Sequence, residues 1–392
     1  MLPLQGITVV TVEQAVAAPF ASRQLADLGA RVIKVERPGS GDFARDYDAV
    51  VKGISAHFVW LNRSKESVTL DLKRSEGAEA LGRLIARADV FIHNLAPGAM
   101  ARLGFGSPVL RTTHPKLVIC EISGYGSSGP YRDKKAYDLL VQSETGVVSL
   151  TGTPESPARV GISLADISAG MYALSGILAA LVRRGQTGEG ATLDVSLFDS
   201  LAEWMGFPAT YTDYGGTSPQ RTGARHPTIA PYGPFAAGDG KTIYLAVQNQ
   251  REWTRLCEEV LERPELIDAP RFATNPSRVQ HREALEAIVT ASFSRFTAEE
   301  IVRRLDAAGI ANARMNSVSE FLNHPQLQTR DRWREVESPV GPLRTLLPPF
   351  NLEGEVVPMG PVPALGEHSD AVLGEIGYEA ATVAQWRDKG IV

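Results

Sequence analysis

Short apolar, β-branched runs recur through the N-terminal part of the chain. Ile7–Val12, Val32–Glu36, Ser67–Leu72, Asp89–Asn94 and Leu117–Ile122 read as strands. Between them lie segments with apolar residues at helical spacing: Pro19–Leu28, closed by Gly29, then Glu76–Arg87, and a short one from Gly98 to Leu103. Alternation of this kind builds a parallel, doubly wound, Rossmann-like α/β sheet. Such sheets bind ligands beyond the carboxyl ends of their strands. Further along, Met171–Leu181 reads as a buried helix, and Gly185–Gly190 as a helix-to-strand turn before the strand Thr192–Leu197. Around Tyr211–Tyr232 the composition shifts to Gly, Thr, Pro and Arg, which marks a domain edge. A strand at Lys241–Val247 and helices at Trp253–Leu261, His281–Phe293 and Ala298–Ala308 predict a smaller α+β domain. From about residue 325 the pattern is Pro-rich and irregular until a tail helix at Ser369–Ile376. The expected division is a large α/β domain over residues 1–210, a small domain over 225–320 and a C-terminal segment over 325–392.

One carboxylate interrupts this pattern. Asp166 stands alone in Val160–Gly170, where every other residue is apolar or small. It lies where a small-residue loop enters an apolar helix. The plain reading is a helix N-cap, which Asp serves well. The chemical reading is a carboxylate made reactive by loss of water, with room for a ligand to approach.

Composition narrows the functions open to the chain. With 43% apolar and 22% charged residues and a net charge of −5, it is an ordinary globular sequence. It has no block of basic residues, so no nucleic-acid partner is expected. The longest apolar candidate, Met171–Val182, ends at Arg183-Arg184 and falls short of a membrane span. No metal site is expected, because His57, His93, His114, His226, His281, His324 and His368 are scattered without ligand spacing. Cys120 and Cys257 sit in apolar patterns and read as free thiols of a reducing compartment. The first residues lack the regions of a signal peptide, so a cytoplasmic protein is expected.

Gly124-Tyr125-Gly126-Ser127-Ser128-Gly129 matches the dinucleotide fingerprint and follows a strand. That fingerprint needs a helix whose N-terminus receives the pyrophosphate. Here polar Pro130–Lys135 follows instead, so the nicotinamide or flavin reading is rejected. Basic residues do gather past strand ends: Arg37, then Arg63 and Lys65, Arg102 one turn beyond Asn94, and Lys135. Each alone reads as a solvated charge. Together, at one sheet edge, they suit a ligand carrying several phosphates.

Five motifs in combination carry a resemblance: Asp27–Glu36, Asn62-Arg63-Ser64-Lys65, Asn94 with Pro97-Gly98, Gly124–Tyr131, and Ala165–Gly170. With them the chain, from Leu4 to Asp370, resembles the class III coenzyme A transferases, among them the formyl-CoA transferases. The resemblance implies that Asp166 attacks the donor thioester, passing through an aspartyl anhydride and an aspartyl-CoA thioester, with Asp138 in support. It places Arg37 at the adenosine end of CoA, Leu70 at the adenine, Asn94 and Leu95 along the pantetheine and phosphate path, and Arg102 at a phosphate. Lys135 and Tyr137 fall near the nucleotide and active site, and Val16 and Ala17 where the first-strand loop meets the thioester. Formyl-CoA transferases carry glutamine at the Val16 position, and Gln14 could stand in for it.

The tetraglycine loop of those enzymes has no counterpart between Tyr211 and Gly240, which argues against oxalate and formate. Arg45, Arg225 and His226 are candidate carboxylate-recognition residues. The expected reaction moves CoA from succinyl-CoA to a small, dicarboxylic acceptor such as mesaconate, itaconate, citramalate or malate. CoA enters as substrate, and no tightly bound cofactor is expected. An interlocked homodimer is implied, with the C-terminal segment returning to the large domain. Two alternatives stand beside this reading. An α-methylacyl-CoA racemase would need a His-Asp pair where the chain has Tyr137-Asp138, and tyrosine, with an ordinary pKa of about 10, is a poor base. A non-catalytic acyl-CoA binder would have no use for Asp166 in its small-residue setting.

Overall fold

The computed structural model describes residues 1–350 and 352–392. The chain folds into two compact units. One comprises 1–146, 160–206 and 329–392, and the other 147–159 and 207–328.

The first unit is built on six parallel strands: β1 (Thr8–Val12), β2 (Arg31–Glu36), β3 (Lys65–Thr69), β4 (Val90–His93), β5 (Val118–Ser123) and β6 (Thr192–Ser196). Their order is β3-β2-β1-β4-β5-β6. Val10 lies in register between Ile33 and Phe91, and the central strands are apolar on both sides because both faces are covered. One face carries α1 (Ala17–Asp27). The other carries α3 (Ser75–Ile85), which follows the short α2 (Ala56–Asn62), and α5 (Ser107–Thr113), which follows the single turn α4 (Ala99–Arg102). Leu81, Leu84 and Ile85 of α3 and Leu110 of α5 share a core with Val10, Ile33 and Phe91. Val372, Leu373, Val383, Trp386 and Ile391 from the C-terminal helices Ser369–Glu375 and Ala380–Asp388 complete it, so the chain's end returns to the first sheet.

After β5 come α6 (Asp138–Glu144), α7 (Val147–Leu150) in the second unit, the 24-residue α8 (Leu164–Thr187), and, past β6, α9 (Leu197–Trp204). The helix begins seven residues before the Met171 expected from sequence. By length and composition alone it could cross a membrane. In the structure it is a core helix, burying Ala165, Ala169, Ala173, Leu174 and Ile177 against α1, α9, β5 and β6.

The second unit holds an antiparallel sheet of β7 (Tyr232–Ala236), β8 (Thr242–Ala246) and β9 (Ala311–Arg314), with β8 central. Trp253, Phe272, Leu285, Phe293 and Ile301 fill its core. Residues 147–159, which the sequence reading kept in the large domain, pack here. Arg221 donates to the carbonyls of Thr153 and Pro154, and the Gly223 N–H to that of Gly152. The irregular stretch after 325 contains a hairpin, β10 (Trp333–Val336) with β11 (Leu343–Leu346), which its charged residues conceal.

Between β1 and β4 the sheet order reverses, and the loops after these strands part there to open a crevice. Charge is buried at the other edge of the sheet, where α1 ends. Asp27 accepts Arg63 at 2.7 Å and Arg23 at 2.6 Å, all three nearly inaccessible. Burial pulls the Arg23 guanidinium down to about 10 despite Asp27. Asp27 is the only carboxylate these two guanidiniums pair with among the described residues. Asp27→Ala is therefore expected to destabilise the protein by about 3–5 kcal/mol, read as a lower midpoint in urea unfolding.

Candidate active site

Two adjoining cavities open at the crevice, sharing Gln14 and Leu95 in their walls. The smaller, about 270 Å³, is lined by Arg37 at the end of β2, Leu70 after β3, and Ala99, Arg102 and Leu103 around α4. The larger, about 420 Å³, is lined by Gln14, Ala15 and Ala17, by Phe43 and Tyr47, by Asn94, by the segment 132–138, and by Asp166.

Asp166 is the third residue of α8. The helix cap is not Asp166. Ser163 holds that position and makes no side-chain bond. Asp138 does the capping from another helix: its Oδ1 accepts the N–H groups of Ala165 at 2.7 Å and Asp166 at 3.2 Å, while Gln142 donates to its Oδ2 at 2.7 Å. The Asp166 carboxylate itself accepts no hydrogen bond from the described residues. Burial first, and the nearby charge of Asp138 second, push its pKa up to about 7.

Gly170, one turn on, sets how near α8 comes to α1. A Cβ there would stand 2.7 Å from the Ala17 carbonyl oxygen and 2.9 Å from the Phe20 ring. The start of α1 is thereby brought to the Asp166 cavity. Its N-cap, Val16, supplies no side-chain acceptor, and the N–H groups of Ala17 and Ala18 find no protein acceptor among the described residues. Val16 is buried and lines neither cavity.

The basic residues fall into two sets. Arg37, Arg102 and Lys135 are exposed and form no ion pair with the described residues. Lys135 reaches the larger cavity because the loop after β5 folds back on itself. Gly124 makes this possible, since a Cβ there would overlap that of Ala136 at 2.2 Å. The glycine fingerprint is thus a loop and not a pyrophosphate turn. Arg63 and Lys65, by contrast, are buried and paired, as are the groups around Arg45. Its guanidinium forks onto Glu36 at 2.8 Å twice and lies 3.7 Å over the Phe58 ring, so it is not free to recognise a substrate carboxylate. Against burial, that fork and the charge of Lys34 hold Glu36 down at about 2.

Arg225 and His226 lie in the second unit. Arg225 pairs with Glu286 at 2.8 Å and His226 stacks on Tyr232, and neither lines the two cavities. Asn94 lines the larger cavity, but its amide is committed to both backbone groups of Gln14.

Sequence reasoning missed Tyr47. Its ring is held edge-on by His57 and tilted against Phe43. Burial and the charges of Asp42, Asp166 and Tyr137 push its hydroxyl up to about 12, which keeps it a hydrogen-bond donor beside Asp166. No local pattern marks it, because it follows a glycine turn as any exposed aromatic could.

The fold and site define an α/β protein with a cation-rimmed cavity leading to a half-buried carboxylate that accepts no protein hydrogen bond. The CoA-transferase family III model matches residues 4–369. A succinate–glutarate CoA-transferase of Agrobacterium fabrum is 34% identical, covering 95% of this chain and 96% of that one. An acetyl-CoA:oxalate CoA-transferase of Acetobacter aceti is 37% identical over 84% and 85% of the two chains. A crystal structure of a CAIB/BAIF family protein from Brucella suis superposes with a TM-score of 0.84 at 33% identity, covering 96% of this chain and 99% of that one. The chain belongs to CoA-transferase family III and is a CoA-transferase, an enzyme whose substrates are CoA thioesters.

Activity that needs the Asp166 carboxylate is expected to rise with pH through about 7, the pKa set by burial and Asp138. Removing the charge in Asp138→Asn lowers that pKa, so the acid limb of the kcat/KM profile moves to lower pH. A profile unmoved by this substitution would contradict the coupling.

Proposed function

We propose that the enzyme transfers CoA from succinyl-CoA to a small dicarboxylic acid with Asp166 as the nucleophile. The observation that carries this reading is a half-buried carboxylate without protein donors, in a cavity that adjoins the one rimmed by Arg37 and Arg102. Those cations, with Lys135, suit the phosphates and adenosine of CoA. Leu70 offers an apolar contact for the adenine, and Leu95, on the shared wall, marks the path of the pantetheine arm.

The chemistry runs in balanced steps. An Asp166 oxygen attacks the thioester carbonyl, the C–S bond breaks, and CoA thiolate leaves a mixed anhydride. The thiolate attacks the Asp166 carbonyl of that anhydride and releases succinate, giving aspartyl-CoA thioester. The acceptor carboxylate then displaces the thiolate to form a second anhydride. Attack of the thiolate on the acceptor's carbonyl gives the new acyl-CoA and restores Asp166. The unclaimed N–H group of Ala17, which lines the cavity, suits the oxyanion that develops, and a close-fitting cavity protects the anhydride from water. The named glutarate and oxalate enzymes among its relatives support a dicarboxylic acceptor. The oxalate enzyme also keeps short diacids in the range to be tried.

Leu139 and Leu140 on α6 and Met171, Tyr172 and Val182 on α8 are exposed. Apolar exposure on this scale suits burial against another chain. We infer a homodimer in which a second copy covers these helices. Sedimentation velocity at micromolar concentration is expected to give the dimer mass, and a stable folded monomer would overturn this.

The transfer reading is tested by incubating the protein with succinyl-CoA and a pool of glutarate, citramalate, malate, mesaconate, itaconate and oxalate, with mass spectrometry of the CoA esters. New esters are expected with wild type and none with Asp166→Asn, which should still bind CoA. Transfer that survives in Asp166→Asn refutes the covalent route. Wash-in of α-deuterium to a 2-methylacyl-CoA, without transfer, favours racemisation.

A further inference from the structure

Beside the crevice lies a buried charge cluster that the transfer chemistry does not use. Lys34 Nζ, fully buried on β2, donates to Asp42 Oδ2 at 2.7 Å and stands 3.5 Å from Glu13 Oε1. Glu13 in turn accepts Lys65 Nζ and Ser22 Oγ, each at 2.7 Å. Lys65 also donates to the Pro19 carbonyl at 3.1 Å and Asn62 Oδ1 at 3.0 Å, so all three of its donors are used. The remaining oxygen of Asp42, Oδ1, accepts two backbone N–H groups, from Ala15 at 3.0 Å and Ala44 at 2.9 Å.

Those two N–H groups belong to different loops. Ala15 follows β1 and is left-handed, with φ of 64°. Ala44 sits in the short turn Phe43–Asp46, which Tyr47 closes. One carboxylate thus ties together two walls of the Asp166 cavity. Asn94 at the end of β4 pins the neighbouring residue, accepting the Gln14 N–H at 2.9 Å and donating to its carbonyl at 2.8 Å.

We infer that Asp42, held by Lys34, is a positioning residue for CoA transfer. Through Ala15 and Ala44 it fixes the segments Gln14–Ala17 and Phe43–Tyr47 around Asp166. The inference rests on Asp166 being the nucleophile. Its physical basis has two parts. A left-handed alanine is disfavoured unless its surroundings impose it, and here a charged acceptor does so. Buried ion pairs are poor devices for stability, since apolar residues of like volume often serve as well. What the Lys34–Asp42 pair supplies is geometry, because neither loop can shift without leaving a charge unpaired in a dry interior. The groups so fixed are the free N–H groups at the start of α1 and the Tyr47 hydroxyl. Both depend on placement to act on a reacting carbonyl.

The test compares wild type, Asp42→Ala, Asp42→Asn, the double variant Lys34→Met/Asp42→Ala, Asp166→Asn and the core truncation Leu81→Ala. Exchange of carbon-13 succinate into succinyl-CoA gives kcat and KM, calorimetry gives the CoA Kd, and hydrogen exchange reports on the peptides around residues 13–20 and 41–48. Asp42→Ala is expected to lower kcat at least about tenfold while the CoA Kd stays within about threefold. Both peptides should lose protection together. Asp42→Asn, whose Oδ1 still accepts both N–H groups, should recover part of the rate. Leu81→Ala should lower Tm and keep kcat. The double variant removes one charge of each sign and leaves the Glu13–Lys65 pair, so it reports even if Asp42→Ala fails to fold. A wild-type kcat, or unchanged protection of the two peptides, in either variant lacking the Asp42 carboxylate overturns the inference. So does a kcat loss in Leu81→Ala equal to that in Asp42→Ala. Exchange that persists in Asp166→Asn refutes the nucleophile instead, whatever the Asp42 variants do.

Discussion

The site depends on how closely α8 approaches the first turn of α1. Gly170 permits it, because any side chain there would meet the Ala17 carbonyl, which belongs to a backbone that cannot give way. The approach brings the start of α1 and the Asp166 carboxylate to one cavity at the point where the sheet order reverses. A parallel sheet opens a crevice at such a point whatever its sequence. The particular feature here is that a glycine on a core helix sets how near a carboxylate comes to the unclaimed N–H at the start of α1.

Charge in this unit is sorted by depth. Arg23, Arg63, Lys34 and Lys65 are buried and Arg45 is partly so, each matched by a carboxylate; Lys34, Lys65 and Arg45 hold segments that carry the cavity walls. Arg37, Arg102 and Lys135 remain exposed and unmatched by any carboxylate among the described residues, on the rim where a polyanionic substrate would arrive. The same residue type thus does opposite work according to whether the fold supplies it with a counter-charge. Asp138 and Asp166 divide in the same way: one spends its oxygens on backbone and amide donors, and the other has none to accept.

This sorting explains what could be read from sequence. Strands buried on both faces announce themselves as continuous apolar runs, so the sheet and its helices were legible. Asp166 was legible because nothing near it shares its polarity. Arg63, Lys65 and Arg45 were misread as ligand or substrate contacts because their partners Asp27, Glu13 and Glu36 come from other strands and helices, and register across a sheet is not a local property. Asp138 looked like a catalytic partner, while its capping bond spans 27 residues of sequence. Tyr47 was silent because only the folded turn after β2 aims it at the cavity. The segment 147–159 and the β10–β11 hairpin were missed for a related reason, since their pairing lies in partners and not in their own composition.

The raised pKa of Asp166 bears on the direction of the proposed reaction. In the first mixed anhydride the thiolate can attack either carbonyl. Attack on the succinyl side expels the Asp166 carboxylate and merely returns the donor. Attack on the aspartyl side expels succinate and moves forward. The better leaving group is the weaker base. A carboxylate held near 7 is a stronger base than an ordinary aliphatic carboxylate in water, whose pKa is about 4. In the proposed route, burial of Asp166, with Asp138 adding to it, thus favours expulsion of the substrate acid over a return to the donor. It also makes Asp166 the more nucleophilic once ionised. The N-terminal position of Asp166 on α8 favours its ionised form and limits how far the shift can go. In the proposed route these opposing influences leave a carboxylate that is partly ionised at neutral pH and more basic than the acid it would displace.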